Sequence, residues 1–492
     1  MEEQMTNSQV TSTMKVEEIL RKEPFIREVR SGIVSGGSIS LGDTIPADVP
    51  NVIGTCVSQE QYLMELNPDS HDIHRDENVP SIVAKIGKDN YKEIKDVRIA
   101  LAYQKKIVEK QTLYVCGKDT KFTLCNPSPD NEMKEDYIDI KTTWKNRNYD
   151  VARTLCIMNQ KSVGDAAIIH YFDKSGKIRP KNVSFLTGYT LLPHYDRYDQ
   201  IDIFGVLYSK GNGRVLDVYD KKYMTSYSLK AGDKEWVEVD RVSHGFNEVP
   251  VSYIRGEVAW DNAQSTIEAL EIIYNIYSVI MKRHGWGMLY IKGNVDTKMK
   301  KIAGSVILQD NSDNPNSTAE YLSPSTPTGM ENLLADLRKQ IQIMTGTIFL
   351  TPEDVRMSGD ISGAAIKMMN SSAYEKAMLD AKLYDVFMDS MIRIFVFGYS
   401  NERKKIAEFS RLNIRAELDV WIPQSDTEIV SNLVQLKGSG LISVETGTEV
   451  SPYSTPDEVV RIKSEAEDDN NADDNNIEPN NNQLNNNNVN QS

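Results

Sequence analysis

Cysteine is scarce in this chain, positive charge is outnumbered, and no apolar run is unbroken enough to span a bilayer. The 492 residues hold four cysteines, Cys56, Cys116, Cys125 and Cys156, at spacings that match no metal-ligand pattern. Acidic and polar residues follow Met1, where a secretory signal would be cationic and then apolar. A reducing compartment and free thiols are therefore expected, Cys116 and Cys125 included, although they flank an expected hairpin. The motifs of common catalysts are missing too. There is no G-x-x-x-x-G-K-[ST], no G-x-S-x-G, no H-E-x-x-H and no paired C-x-x-C. A two-metal nuclease needs several acids converging on one site, and the scattered carboxylates nominate no such set. No catalytic, cofactor-binding or metal-binding residue is expected, and the chain is not read as an enzyme. His71 and His74 form an H-x-x-H with Asp72 and Asp76 alongside, but without further ligands at a fixed offset the expectation is a solvated loop. The net charge is −15 and no domain is strongly basic, which argues against a sequence-specific DNA binder with its basic face. It leaves room for a DNA conduit, because a cationic lining would hold phosphates at every step.

What is present is organised around residues 260–363. Thr266 to Met281 carries neither Gly nor Pro, and Asp261 and Asn262 stand where a cap is needed. Ile267, Leu270, Tyr274, Tyr277 and Met281 recur at three- and four-residue steps, which predicts one helical face. Ile273, Ile276 and Ile280 form another. A helix apolar nearly all round must be covered on most sides. Glu268, Glu271 and Asn275 interrupt the run, so other copies of the chain are the expected cover rather than lipid. Lys282, Arg283 and His284 suit the negative end of the helix, and Gly285 and Gly287 stop it. A second helix is predicted from about Met330 to Thr345, with Leu333, Leu334, Leu337, Ile341 and Met344 as its stripe. A polar loop with Gly359 and Gly363 follows, then a long helix from about Ala364 to Phe397.

Before this core, a short helix is expected within Val16–Val29, loop with short strands over 31–60, and polar loop over Met64–Val79. Tyr91–Lys110 reads as helix, LYVCG and KFTLC as a hairpin, and Glu135–Asn159 as an amphipathic helix through Ile138, Ile140, Trp144, Val151, Leu155 and Ile157. From Ser162 to Ile254 the period switches to two, with turn signals at Lys174-Ser175-Gly176 and Gly211-Asn212-Gly213. That predicts an antiparallel meander or small barrel, with His170, His194 and His244 as ordinary sheet histidines. Between the two key helices, Met288–Ser325 predicts strands around a short basic helix carrying Lys298, Lys300 and Lys301. Leu412–Trp421 reads as a strand, and Asp426–Lys437, Ser443–Glu449 and Pro456–Glu467 as short helices. The Asn- and Asp-rich residues 468–492 lack apolar side chains to offset ordering entropy, so disorder is expected.

Four stretches together resemble the portal proteins of tailed double-stranded DNA bacteriophages, in their siphophage-like branch. They are WKNRNYDVARTLCIMNQKSVGDAAIIHYFDKSGKIR; EVPVSYIRG running into DNAQSTIEALEIIYNIYSVIMK; LRKQIQIMTGTIFLTPEDVRMSGDISGAAIK; and IPQSDTEIVSNLVQLKGSGLISVETGTEV with PDEVVRIKSE. The resemblance covers roughly Glu135 to Glu467. It implies an α+β portal fold with a sheet-rich wing, a helical stem, a small α/β clip and a helical crown, assembled as a ring that is usually dodecameric. In that layout residues 1–255 are arm and wing, 256–287 the first stem helix, 288–328 the clip and 329–347 the second stem helix. Residues 348–363 are the tunnel loop, 364–424 the long wing helix and returning strand, 425–467 the crown, and 468–492 a disordered tail. Ile267, Leu270, Tyr274, Tyr277, Met281, Leu334, Leu337 and Ile341 would be stem and subunit-interface residues. Glu353, Asp354, Arg356, Ser358, Gly359 and Asp360 would face DNA, and Lys298, Lys300 and Lys301 would meet the motor or adaptor. The implied partners are further copies of the chain, double-stranded DNA held without sequence preference, the terminase large subunit, a neck or head-completion adaptor, and the major capsid and scaffold proteins. No membrane is implied. The location would be the portal vertex of the virion, and the host cytoplasm during assembly. The alternative is another phage head or neck component without a DNA channel, which would not need a helix pair flanking an insert.

Overall fold

A computed structural model describes residues 16–27, 55–75, 82–85, 91–94, 98–284, 288–292, 318–322, 328–349, 370–421 and 426–451, with a few positions between 453 and 464. The chain divides into two compact units. One comprises Met1–Leu350 with Ser371–Trp421, the other Thr351–Asn370 with Ile422–Ser492.

In the first unit, residues 16–19 are helical and β1 (Phe25–Arg27) follows as a strand paired with β2 (Thr55–Val57). Ser58 caps α1 (Gln59–Leu66) by accepting from the Gln61 amide. The stretch read as polar loop after Met64 tightens into 3-10 turns at Pro68–Ser70 and Asp72–His74, and His71 between them is buried. β3 (Ile82–Lys85) pairs with β4 (Tyr91–Ile94), so the helix predicted from Tyr91 begins only at Tyr103. That helix, α2 (Tyr103–Cys116), runs through the first half of the expected hairpin. Its inward residues Ile107, Val108, Gln111, Thr112 and Val115 keep the helical period across Leu113–Cys116. The expected second half, β5 (Lys121–Leu124), pairs instead with a strand from far along the chain.

The single helix expected over Glu135–Asn159 is two: α3 (Asn131–Asn146), capped by Asp130, and α4 (Tyr149–Val163). Asn148 takes a left-handed conformation between them, one of the few non-glycine residues that tolerates it. Trp144 and Tyr149 would lie about 140° apart on an uninterrupted helix. The break turns both into one core, with ring centroids 4.7 Å apart and Phe395 beside them. The phase resets there, so Val151 and Leu155, expected inside, are exposed; Ile138 of α3, also expected inside, is exposed as well.

Gly164, at φ +87°, ends α4 and starts the sheets. β6 (Asp165–Phe172), β7 (Ile178–Ser184), β8 (Tyr189–Tyr195), β9 (Ile201–Lys210), β10 (Gly213–Tyr219), β11 (Tyr223–Leu229), β12 (Val237–Ser243) and β13 (Val251–Arg255) form no barrel. They make a three-stranded sheet in the order β13-β6-β7 and a five-stranded sheet in the order β12-β11-β10-β9-β8, all antiparallel. β6 is buried on both faces, and its two-residue period sorts them. Ala166 and Ile168 join the helical core with Trp144, Tyr149 and Phe395, while Ala167 and Ile169 join Leu191, Phe204 and Val206 of the larger sheet. The layers are therefore helices, small sheet, large sheet. His170 sits in the middle layer between Tyr149 Oη and Ser252 Oγ, and burial lowers its pKa to about 3. His194 and His244 bond to backbone carbonyls, His244 in the turn after β12.

After the sheets come a 3-10 turn at Asp261–Ala263, α5 (Gln264–His284), β14 (Met288–Lys292), β15 (Thr318–Leu322) and α6 (Thr328–Thr345). β14 and β15 pair antiparallel, and the basic helix expected between them lies outside the described residues. The expected long helix is, in its described part, α7 (Ser371–Leu383) and α8 (Asp385–Arg403), separated by Tyr384. Backbone bonds still bridge the joint, from Tyr384 N to Asp380 O and from Met388 N to Tyr384 O. α9 (Ile406–Phe409) leads to β16 (Ile414–Glu417), the partner of β5. The second unit, taken by itself, contributes α10 (Asp426–Gly438) and α11 (Val444–Val450), the latter capped by Ser443. Residues 468–492 lie outside the described residues, and the described cysteines are free.

Candidate functional site

α5 and α6 lie side by side. Thr266 Oγ1 meets Met344 Sδ at 3.6 Å near one end, and Tyr277 Oη donates to Glu331 Oε1 at 2.6 Å near the other. The helices are therefore antiparallel, and the paired strands β14 and β15 connect to their far ends. Ile267, Leu270, Leu334 and Ile341 are buried together with Ile107, Val108 and Trp260. Tyr274, Tyr277 and Leu337 are partly covered by the same cluster. Met281 is exposed, as is Leu333, which the apolar stripe had placed inside. Four of the predicted interface residues are thus already covered within the chain, and Tyr274, Tyr277, Leu337 and Met281 retain free surface. From Ile276 to Met281 no residue of α5 is buried. Ile272, Ile276, Val279 and Ile280 share one face and are only partly covered. An open groove lined by Tyr274, Tyr277, Ser278 and Met281 lies in the same region.

The near end of the pair stands on buried polar groups that the apolar periodicity did not reveal. Both ring nitrogens of His71 face acceptors, Nδ1 at 2.8 Å from Glu271 Oε1 and Nε2 at 2.8 Å from the Glu65 carbonyl. Only the doubly protonated imidazole donates at both nitrogens. Burial disfavours that charge, but the Glu271 carboxylate, the Glu65 carbonyl and Glu268 outweigh it and raise the His71 pKa above its ordinary value. Glu271 Oε1 also accepts from the Leu101 amide at 2.6 Å. Asn275, one turn on, accepts from Ile99 N and donates to Ile99 O, both at 2.7 Å. Asp261 was expected to cap the helix. Its carboxylate instead accepts from Arg27 Nε at 2.7 Å, while the two terminal nitrogens of Arg27 grip Glu65 at 2.9 and 2.7 Å. Trp260 Nε1 donates to the same Glu65 at 2.9 Å. The sequence signal for this base was the pair Glu271 and Asn275, four residues apart on one face of an apolar helix.

The H-x-x-H stretch is engaged by protein groups, with His74 Nε2 3.1 Å from the Pro68 carbonyl. Among the described residues, carboxylates converge at Glu132, Asp136 and Glu408, where Lys405 Nζ lies 3.1 Å from Glu408 and 3.8 Å from Asp136. Glu353, Asp354, Arg356, Ser358, Gly359 and Asp360 lie outside the described residues, as do Lys298, Lys300 and Lys301. No described helix is long and apolar enough to cross a membrane.

The described residues thus form a mixed α+β protein in which an antiparallel helix pair flanks two paired strands, and comparison with protein families identifies its class. The model of the family "Phage portal protein, SPP1 Gp6-like" matches residues 58–472, and the chain belongs to that family. The match starts well before Glu135, so α1, α2 and β5 are within it. No curated protein matches the chain. The family is structural rather than catalytic, and membership implies a portal that translocates DNA through an oligomeric ring.

Proposed function

We propose that the chain assembles as a dodecameric ring at one capsid vertex, the channel for packaging and ejecting double-stranded DNA. Residues 1–255 and 364–424 form the wing, with the helix at its core. α5 and α6 are the two stem helices within 256–287 and 329–347. Residues 288–328 are the clip, 425–467 the crown, and 348–363 the tunnel loop. The clip docks the terminase large subunit during packaging and the neck adaptor afterwards, with Lys298, Lys300 and Lys301 as contacts. Capsid and scaffold proteins surround the ring, which is located in the virion. Glu353, Asp354, Arg356 and Asp360 carry a net −2 per copy. Around a ring they make an anionic collar that repels the duplex and keeps contact weak.

The observation that carries this reading is α5 itself. Its own chain covers Ile267 and Leu270 but leaves Ile272, Ile276, Val279, Ile280 and Met281 accessible. An apolar face of this kind calls for a neighbour. A head-to-tail contact between copies closes into a ring when its rotation closes. Native mass spectrometry and negative-stain electron microscopy of the purified protein test this. Rings with a central hole of ~20 Å or more, somewhat wider than the duplex grooves, are expected. A chain that stays monomeric even with its capsid and scaffold proteins would move the reading to another head or neck component.

A further inference from the structure

Residues 350–369 separate the described end of the α6 segment from α7, and the chain on both sides of them is bonded to one buried polar cluster. On the α6 side, Gln111 Nε2 donates to the Thr345 carbonyl at 2.7 Å and to Thr347 Oγ1 at 3.2 Å. Gln111 Oε1 accepts from Lys161 Nζ at 3.1 Å. On the α7 side, Lys161 donates to Asp380 Oδ2 at 2.6 Å, and Asp380 Oδ1 accepts from Lys376 at 2.8 Å. Gln111, Lys161, Asp380 and Thr347 are all buried. The Lys161 ammonium also stands 5.7 Å from the centre of the Tyr384 ring. The two sides touch directly as well. Gly346, at φ +60°, approaches Lys376 so closely that a Cβ there would lie 2.9 Å from Lys376 Cβ.

Stability alone does not call for a charge at this place. A buried ion pair replaced by well-packed apolar groups is often as stable or more so. What an ammonium supplies, and an alkyl chain does not, is directional bonding to separate elements at once. Lys161 comes from α4, in the layered body, and reaches α2 and α7 together. We propose that Lys161, with Gln111 as its relay, is a positioning residue of the channel. It holds the chain entering and the chain leaving residues 350–369 in one register relative to the body. The inference rests on the reading of residues 348–363 as the DNA-facing segment.

The test uses full-length protein in assembled rings and heads. The double variant Lys161→Met with Asp380→Asn removes both charges without stranding either. Gln111→Met leaves the Lys161–Asp380 pair in place and cuts the bonds that run from Gln111 to Thr345, Thr347, Lys161 and the Ala259 carbonyl. The double variant is expected to form rings that melt near the wild-type temperature. Its amide hydrogen exchange should rise over 345–349 and 371–376, and heads built on it should lose nuclease-protected DNA. Gln111→Met should raise exchange over 345–349 alone. Unchanged exchange on both sides would overturn the proposal. So would faster exchange with wild-type DNA filling, or DNA filling that merely follows melting temperature across the variants. If wild-type heads take up no DNA through this ring, the channel reading fails instead, and the exchange data still decide whether Lys161 ties the two sides.

Discussion

Replacing Glu271 with glutamine should destabilise the protein strongly at acidic pH and weakly at alkaline pH. The reasoning starts from a fully engaged histidine. His71 donates to Glu271 at 2.8 Å and to the Glu65 carbonyl at 2.8 Å, and both side chains of the pair are buried. The folded-state pKa of His71 is raised, so the pair's contribution is fully present below the ordinary histidine value and is lost as pH rises through the folded value. Above that point the neutral ring has one N–H for two acceptors. Breaking a buried pair costs about 3–5 kcal/mol. Glutamine keeps an oxygen for the Leu101 amide, and the lone histidine can shed its proton, so about 3 kcal/mol is expected near pH 5.5. Once pH has passed the folded value the loss should shrink to the ~1 kcal/mol of a neutral hydrogen bond. Denaturant unfolding of wild type and variant in steps from acidic to alkaline pH, at one protein concentration, measures the difference. A loss that stays the same across the whole range, or that grows toward alkaline pH, would refute the buried imidazolium.

Trp144→Ala should cost about 3–5 kcal/mol by thermal or denaturant unfolding, because the indole is fully buried against Phe122, Tyr149 and Phe395; a loss under 1 kcal/mol would mean that this core is not continuous across the α3–α4 break. Gly164→Ala forces a side chain onto a φ of +87° and a Cβ to within 2.5 Å of Phe25 Cε1, so a loss of roughly 1–3 kcal/mol is expected, and an unchanged melting temperature would contradict the close approach of β1 to this turn. Deleting Asp468–Ser492 should leave ring formation intact when particles are counted by electron microscopy, and truncated protein that no longer forms rings would show the tail to be needed.

Local spacing settled the elements whose signal lies within a few residues. The run free of Gly and Pro from Thr266 places α5 within two residues of its observed start at Gln264, and glycines at positive φ, such as Gly176 and Gly211, mark the sheet turns. Four stretches taken in order resemble the portal family, and the family model that matches residues 58–472 bears the resemblance out. Tertiary structure alone decided the partners. Leu113–Cys116 has the aromatic and branched residues of a strand, yet Tyr114 and Val115 bury on a helix. KFTLC finds its pairing strand near residue 414, and no short-range rule supplies that distance. The inward phase of α4 relative to α3 depends on one left-handed asparagine, which resets the angle of every residue after it. Glu271, Asn275 and His71 are polar letters in the sequence, and only the fold shows that each is buried and bonded. Periodicity says which face of a segment is turned inward. What that face meets depends on contacts between residues remote in the chain, and those exist only once the chain has closed on itself.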